Sequence, residues 1–163
     1  MRILHFSDFH LNGKKIADAK HTLNFMLKAI KKIQNERAID LVVFSGDMLE
    51  RGGEGFNKDL KAAFTSFKEV VINPLMAELG IPLSRFVFAP GNHDIDREAD
   101  DEMMEDGIEK HTQEYDGIVN FAKSPRIERY TARINNFKDF EEEFYKEFED
   151  VTYNGSRFVS TFE

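Results

Sequence analysis

Cysteine is absent from the 163 residues. That excludes a disulfide framework and any thiolate-held metal, and it fits the reducing cytoplasm taken here as the expected compartment. Tryptophan is absent too, whereas phenylalanine occurs 16 times; such a skew points to core filling rather than to a cofactor box. No apolar run comes near the roughly 20 residues that a membrane-spanning helix needs, so no membrane partner is expected. The start, Met1-Arg2-Ile3-Leu4-His5-Phe6, reaches the polar Ser7 and Asp8 too early for the apolar stretch of a secretory leader. There is also no basic stripe of the kind that tracks a nucleic-acid backbone. No repeat, low-complexity tract or Gly/Ser linker divides the chain.

What is present is ordinary globular material, 41% hydrophobic and 32% charged, enough to bury one core. The net charge of −8 is concentrated. Residues 96–116 hold ten acids (Asp96, Glu98, Asp100, Asp101, Glu102, Glu105, Asp106, Glu109, Glu114, Asp116) against Arg97 and Lys110, so the rest of the chain is neutral overall. An acidic run of this kind is read as a solvated face before it is read as an ion site.

Three short apolar runs, Ile3–Phe6, Leu41–Phe44 and Phe86–Ala89, read as buried strands, and two of them have the near-continuous character of parallel strands covered on both faces. Between them Leu23, Met26, Leu27, Ile30 and Ile33 mark a helix over 18–36. Leu60, Ala63, Phe64, Phe67, Val70 and Val71 mark a second, which kinks or restarts near Pro74 and stops at Gly80. The order is βαβαβ, an α/β class with a parallel sheet and flanking helices. A helical segment follows. Tyr115, Ile118, Val119 and Phe121 predict a short helix. Ser124-Pro125 then caps a long one striped by Ile127, Tyr130, Ile134, Phe137, Phe140, Phe144 and Phe148, packing against the acidic region. A strand is expected over 157–162. The chain divides into 1–95, which carries the motifs, and 96–163, an acidic and helical segment of the same domain.

Each strand runs into a polar cluster: Ser7-Asp8-Phe9-His10, Gly46-Asp47 through Gly52, and Gly91-Asn92-His93-Asp94. Ligands bind at the carboxyl edge of an open parallel sheet, so these clusters should converge. Their donors suit two divalent ions about 3.5–4 Å apart, which need a bridging carboxylate. Asp47, on the central strand, can bridge; Asp8 and His10 can reach one ion; Asn92 offers a neutral oxygen to the other. With only oxygen and imidazole donors, manganese is the first expectation, with iron or zinc acceptable. Singly, an Asp-x-His or a Gly-Asp turn means little. Three such clusters in order, each at a strand end, mean far more.

The series Asp8-x-His10, Gly46-Asp47 with Gly52 five residues past that Asp, and Gly91-Asn92-His93-Asp94 resembles the calcineurin-like metallophosphoesterase superfamily. The likeness covers residues 1–95, the first half of that family's α/β sandwich. It implies that Asp8 and His10 hold one metal, that Asp47 bridges, and that Asn92 holds the second metal and meets substrate. It further implies that His93 faces the phosphoryl group as acid or stabiliser, oriented by Asp94, while metal-activated water attacks. The family adds a lone His and a Gly-His-x-His segment; after Asp94 this chain has only His111, so it is read as an N-terminal fragment. A phosphomonoesterase or phosphodiesterase is the expectation, with a nuclease of the same superfamily or a non-catalytic scaffold as alternatives. Expected partners are a phosphoester substrate and either a second copy or the missing half.

Overall fold

Alternation along the apolar runs decides which side of the sheet is buried. In the computed structural model, which describes residues 1–99, 110, 112–123, 131–146, 148, 151–155 and 160–162, they form β1 (Ile3–Phe6), β2 (Leu41–Ser45) and β3 (Phe86–Ala89). The three strands pair in parallel in that order, with β2 central. Register aligns Leu4 with Val42 and Phe86, and Phe6 with Phe44 and Phe88. The Phe6 and Phe44 rings stack at 5.1 Å, and those of Phe44 and Phe88 at 5.8 Å.

This phenyl ladder is the floor of the core. α1 (Ile16–Glu36) links β1 to β2, and α2 (Leu60–Phe67) with α3 (Asn73–Leu79) links β2 to β3. Right-handed crossovers between strands taken in sequential order fall on the same face. Phe67 accordingly sets its ring edge against Phe44 at 5.2 Å. Asp59 caps α2 by accepting the Ala62 N–H at 2.9 Å. A π-turn at Lys68–Ile72 joins α2 to α3, with Pro74 at its far side, and Gly80, at φ 64°, ends the run as predicted.

The expectation of a sheet covered on both faces does not hold among the described residues. The opposite face carries Ile3, His5, Leu41, Val43, Ser45, Val87 and Ala89, and none of them is buried. The reason is topological: sequential strand order leaves no crossover for that side. His5 sits there, with Nε2 2.5 Å from the Ser45 hydroxyl.

The C-terminal helices differ from the sequence reading. α4 (Tyr115–Ala122) forms as expected. The long helix is not continuous: a 3-10 turn at Ala132–Ile134, with non-helical Thr131 before it, precedes α5 (Asn135–Tyr145). Ser124, Pro125, Ile127 and Tyr130 lie outside the described residues. The aromatic stripe is core, and among the described residues its partners are α2 and β3; most of the acidic region on which it was expected to pack lies outside them. Phe140 stacks on Phe64 at 4.8 Å and meets Phe88 at 5.2 Å, and Phe144 meets Phe88 at 5.0 Å. The Tyr145 hydroxyl donates to the Phe86 carbonyl at 2.5 Å.

A hairpin of β4 (Tyr153–Gly155) and β5 (Ser160–Phe162) closes the chain; β5 is the described part of the predicted 157–162 strand. Buried Glu141 ties the hairpin to α5. Its Oε2 accepts from Lys138 at 2.8 Å, Tyr153 at 2.9 Å and Ser160 at 2.7 Å, so this buried charge is paired and hydrogen-bonded. Burial pushes the Tyr153 phenol up to about 12. Among the described residues no helix is long and apolar enough to cross a membrane.

Candidate metal centre

The loops leaving β1, β2 and β3 are stitched together by their main chains before any side chain acts. Asp8 N–H donates to the Gly46 carbonyl at 3.2 Å, His10 N–H to the Asp47 carbonyl at 2.9 Å, and Gly52 N–H to the His93 carbonyl at 2.9 Å. Parallel pairing of the strands therefore continues into their polar ends, which is why residues far apart in sequence meet.

Three of the expected metal ligands have left-handed backbone: Asp8 at φ 56°, His10 at φ 51° and Asp47 at φ 51°. That conformation costs a residue with a Cβ on the order of 1 kcal/mol or more and gathers at functional sites. Space is equally tight. A Cβ on Gly91 would lie 2.1 Å from Asp47 Oδ1 and 2.4 Å from its nitrogen. Only glycine lets the third loop press against the second.

His10, Asp47 and His93 offer ligand atoms that all lie within 4.8 Å of one another. Their imidazoles meet edge to face at 4.8 Å. His10 Nε2 is 3.8 Å from Asp8 Oδ1. Its Nδ1 is buried without a hydrogen-bond partner, and the Glu50 carboxylate stands 3.9 Å away. A proton held on Nδ1 toward Glu50 leaves the Nε2 lone pair facing Asp8, the arrangement a metal-binding imidazole needs. Oxygen and imidazole donors at this spacing fit a divalent cation.

Asp47 Oδ1 also accepts the His93 N–H at 3.0 Å. The Asn92 side chain reaches the same oxygen. With the amide oriented so that its nitrogen donates there at 3.2 Å, its oxygen accepts from the Arg97 guanidinium. Ligation by Asn92 requires the reverse orientation, with the oxygen toward Asp47. Asp8 stands at the rim with 66% of its side chain exposed and accepts the Ser7 hydroxyl.

His93 is held differently from His10. Its Nδ1 accepts the Arg51 N–H at 3.1 Å, so the neutral ring carries its proton on Nε2. Glu50 Oε1 lies 3.8 Å from the same Nδ1. Asp94 makes no hydrogen bond to that ring. Its carboxylate is fully buried and accepts three N–H groups: Met48 at 3.2 Å, Leu49 at 2.8 Å and Gly91 at 2.8 Å. Burial raises its pKa while these three hydrogen bonds work in the opposite sense. Any influence of Asp94 on His93 therefore passes through the main chain that it locks.

Sequence reasoning missed Glu50. The structure places one oxygen of its carboxylate near each imidazole, at 3.9 Å and 3.8 Å. Its position three residues past Asp47, inside the Gly46 to Gly52 turn, was the available signal. Of the remaining histidines, His21 is on the α1 surface, edge-on to Phe25 at 4.8 Å, and His5 is on the open sheet face. His111 lies outside the described residues.

A family model described as calcineurin-like phosphoesterase matches residues 1–159. None of the curated proteins matches the chain.

Proposed function

The chain belongs to the calcineurin-like phosphoesterase family, and from that premise we propose that it hydrolyses phosphoesters with the help of two divalent ions, manganese first among them. The family is generally hydrolytic and metal-dependent. The observation that carries the reading to this chain is the meeting of His10, Asp47 and His93 within 4.8 Å at the carboxyl edge of the sheet. Asp8 and His10 would hold one ion, Asn92 the other, and Asp47 both. The ions, when bound, supply an acidified water and neutralise charge on the phosphoryl oxygens.

The protein's own part is positional. In the tautomer with its proton on Nε2, His93 would donate a hydrogen bond to a phosphoryl oxygen. To protonate the leaving oxygen it must first be an imidazolium, and the Nδ1 proton then needs an acceptor. Glu50, 3.8 Å away, is placed to become one after a small side-chain shift. Asp94 keeps the β2 and β3 loops in register so that His93 faces the same side as Asp47.

The test is metal analysis together with hydrolysis of p-nitrophenyl phosphate and its bis-ester in added manganese. The expected result is turnover of at least one ester and its loss in Asp47→Ala, with metal content falling in parallel. A manganese-loaded chain that hydrolyses neither ester sinks the reading and leaves a non-catalytic scaffold.

A further inference from the structure

Around a centre built from Asp8, Asp47, Glu50 and Asp94, a substrate phosphate meets negative charge wherever no metal screens it. The cations at the rim therefore decide whether an anion can dwell there. Two are already committed among the described residues. Arg51 Nε lies 3.5 Å from Glu50, and Lys58 is paired with Glu98. Arg97 is different: it has no carboxylate partner among the described residues, although it sits in the most acidic stretch of the chain.

Its guanidinium is instead docked on Asn92. Nε donates to the Asn92 carbonyl at 3.1 Å, and a terminal nitrogen meets the side-chain oxygen of the same residue. That engages two of the five donors of an arginine and leaves the planar fork beside the residue that precedes His93. The turn presenting it is tied down. Asp96 N–H donates to the Arg133 carbonyl at 2.9 Å, Asp96 Oδ1 accepts the Glu98 N–H at 3.0 Å, and Glu98 holds Lys58. An anchored, exposed guanidinium with no counter-charge among the described residues is suited to bidentate contact with phosphate oxygens. Turning the Asn92 oxygen toward a metal would also remove the acceptor that occupies the terminal nitrogen, freeing it for substrate.

We propose that Arg97 is a substrate-binding residue that grips the non-bridging oxygens of the phosphoryl group and favours dianionic monoesters over monoanionic diesters. This rests on the phosphoesterase reading, so the test separates the two. Binding of inorganic phosphate to the manganese-loaded protein is measured by calorimetry for the wild type, Arg97→Gln and Arg97→Lys, alongside melting temperature and hydrolysis of both nitrophenyl esters. The expected result is a loss of about tenfold or more in phosphate affinity for Arg97→Gln, as removal of charge-assisted hydrogen bonds implies. Arg97→Lys recovers part of it, melting is unchanged, and KM rises more for the monoester than for the bis-ester. Phosphate affinity unchanged in Arg97→Gln, or no phosphate binding by the wild type, overturns the assignment. Weakened phosphate binding in a protein that hydrolyses neither ester keeps Arg97 as an anion-binding residue and removes the enzyme reading instead.

Discussion

At the scale of single residues, the charged groups divide into those that serve the centre and those that hold it. Asp94 belongs to the second kind. Replacing it by Asn removes a buried charge, which by itself would help, since burial raises its pKa. The carboxylate, however, serves three N–H groups with two oxygens. An amide offers one oxygen and turns an NH2 toward a donor. An unsatisfied buried donor costs about 1–3 kcal/mol, so Asp94→Asn should lower the unfolding free energy by that much, read as a fall in the denaturant midpoint. An unchanged midpoint would mean the loops do not depend on it. Asp40 shows the opposite linkage. Its carboxylate accepts the Arg2 N–H at 2.6 Å, and this bond, aided by the N-terminal amine, Arg37 and Arg85, holds its pKa below the ordinary 3.8. A depressed carboxylate stabilises the fold above its unfolded pKa and loses that contribution as pH falls through the folded one. The stability gap between wild type and Asp40→Asn should thus be open near neutral pH and close below 3.8, as followed by urea denaturation across pH.

At the scale of elements, α5 is what completes the core over the sheet. Phe140 touches both Phe64 of α2 and Phe88 of β3, with 9% of its surface exposed. Phe140→Ala is expected to cost about 3–5 kcal/mol, read as a fall in denaturant midpoint at constant slope. A loss under 1 kcal/mol would place α5 outside the cooperative unit. The motifs and crossover helices were legible because strand runs and 3.6-residue periodicity are local. The break before α5 was not. The apolar stripe from Ile127 to Phe148 keeps helical spacing on both sides of Thr131, so spacing alone cannot reveal the turn between them. That turn is held by tertiary bonds, including the Asp96 N–H on the Arg133 carbonyl at 2.9 Å.

At the scale of the whole molecule, the face of the sheet left uncovered among the described residues is the main unfinished surface. Ile3 is 47% exposed, and Leu41, Val43 and Val87 are only half-buried. Contiguous apolar surface and the outer edges of β1 and β3, unpaired among the described residues, are association liabilities. We expect a second copy to cover them in the isolated chain: light scattering should give a mass above 18.9 kDa, and Val43→Glu should return it to a monomer. A wild-type monomer at all concentrations would contradict this.

By itself the sequence determined the order βαβαβ, the phenylalanine-rich core and the placing of Asp8, His10, Asp47, Asn92, His93 and Asp94 at strand ends, because each follows from spacing along a short stretch of chain. The tertiary structure alone decided which partners those side chains meet. Whether His93 carries its proton on Nε2 depends on the Arg51 N–H, whether Asp94 reaches a ring or the main chain depends on how the loops pack, and Glu50 gains its place only when two strand ends are brought together. Contacts between side chains distant in sequence are set by three-dimensional packing, which periodicity and motif spacing do not encode.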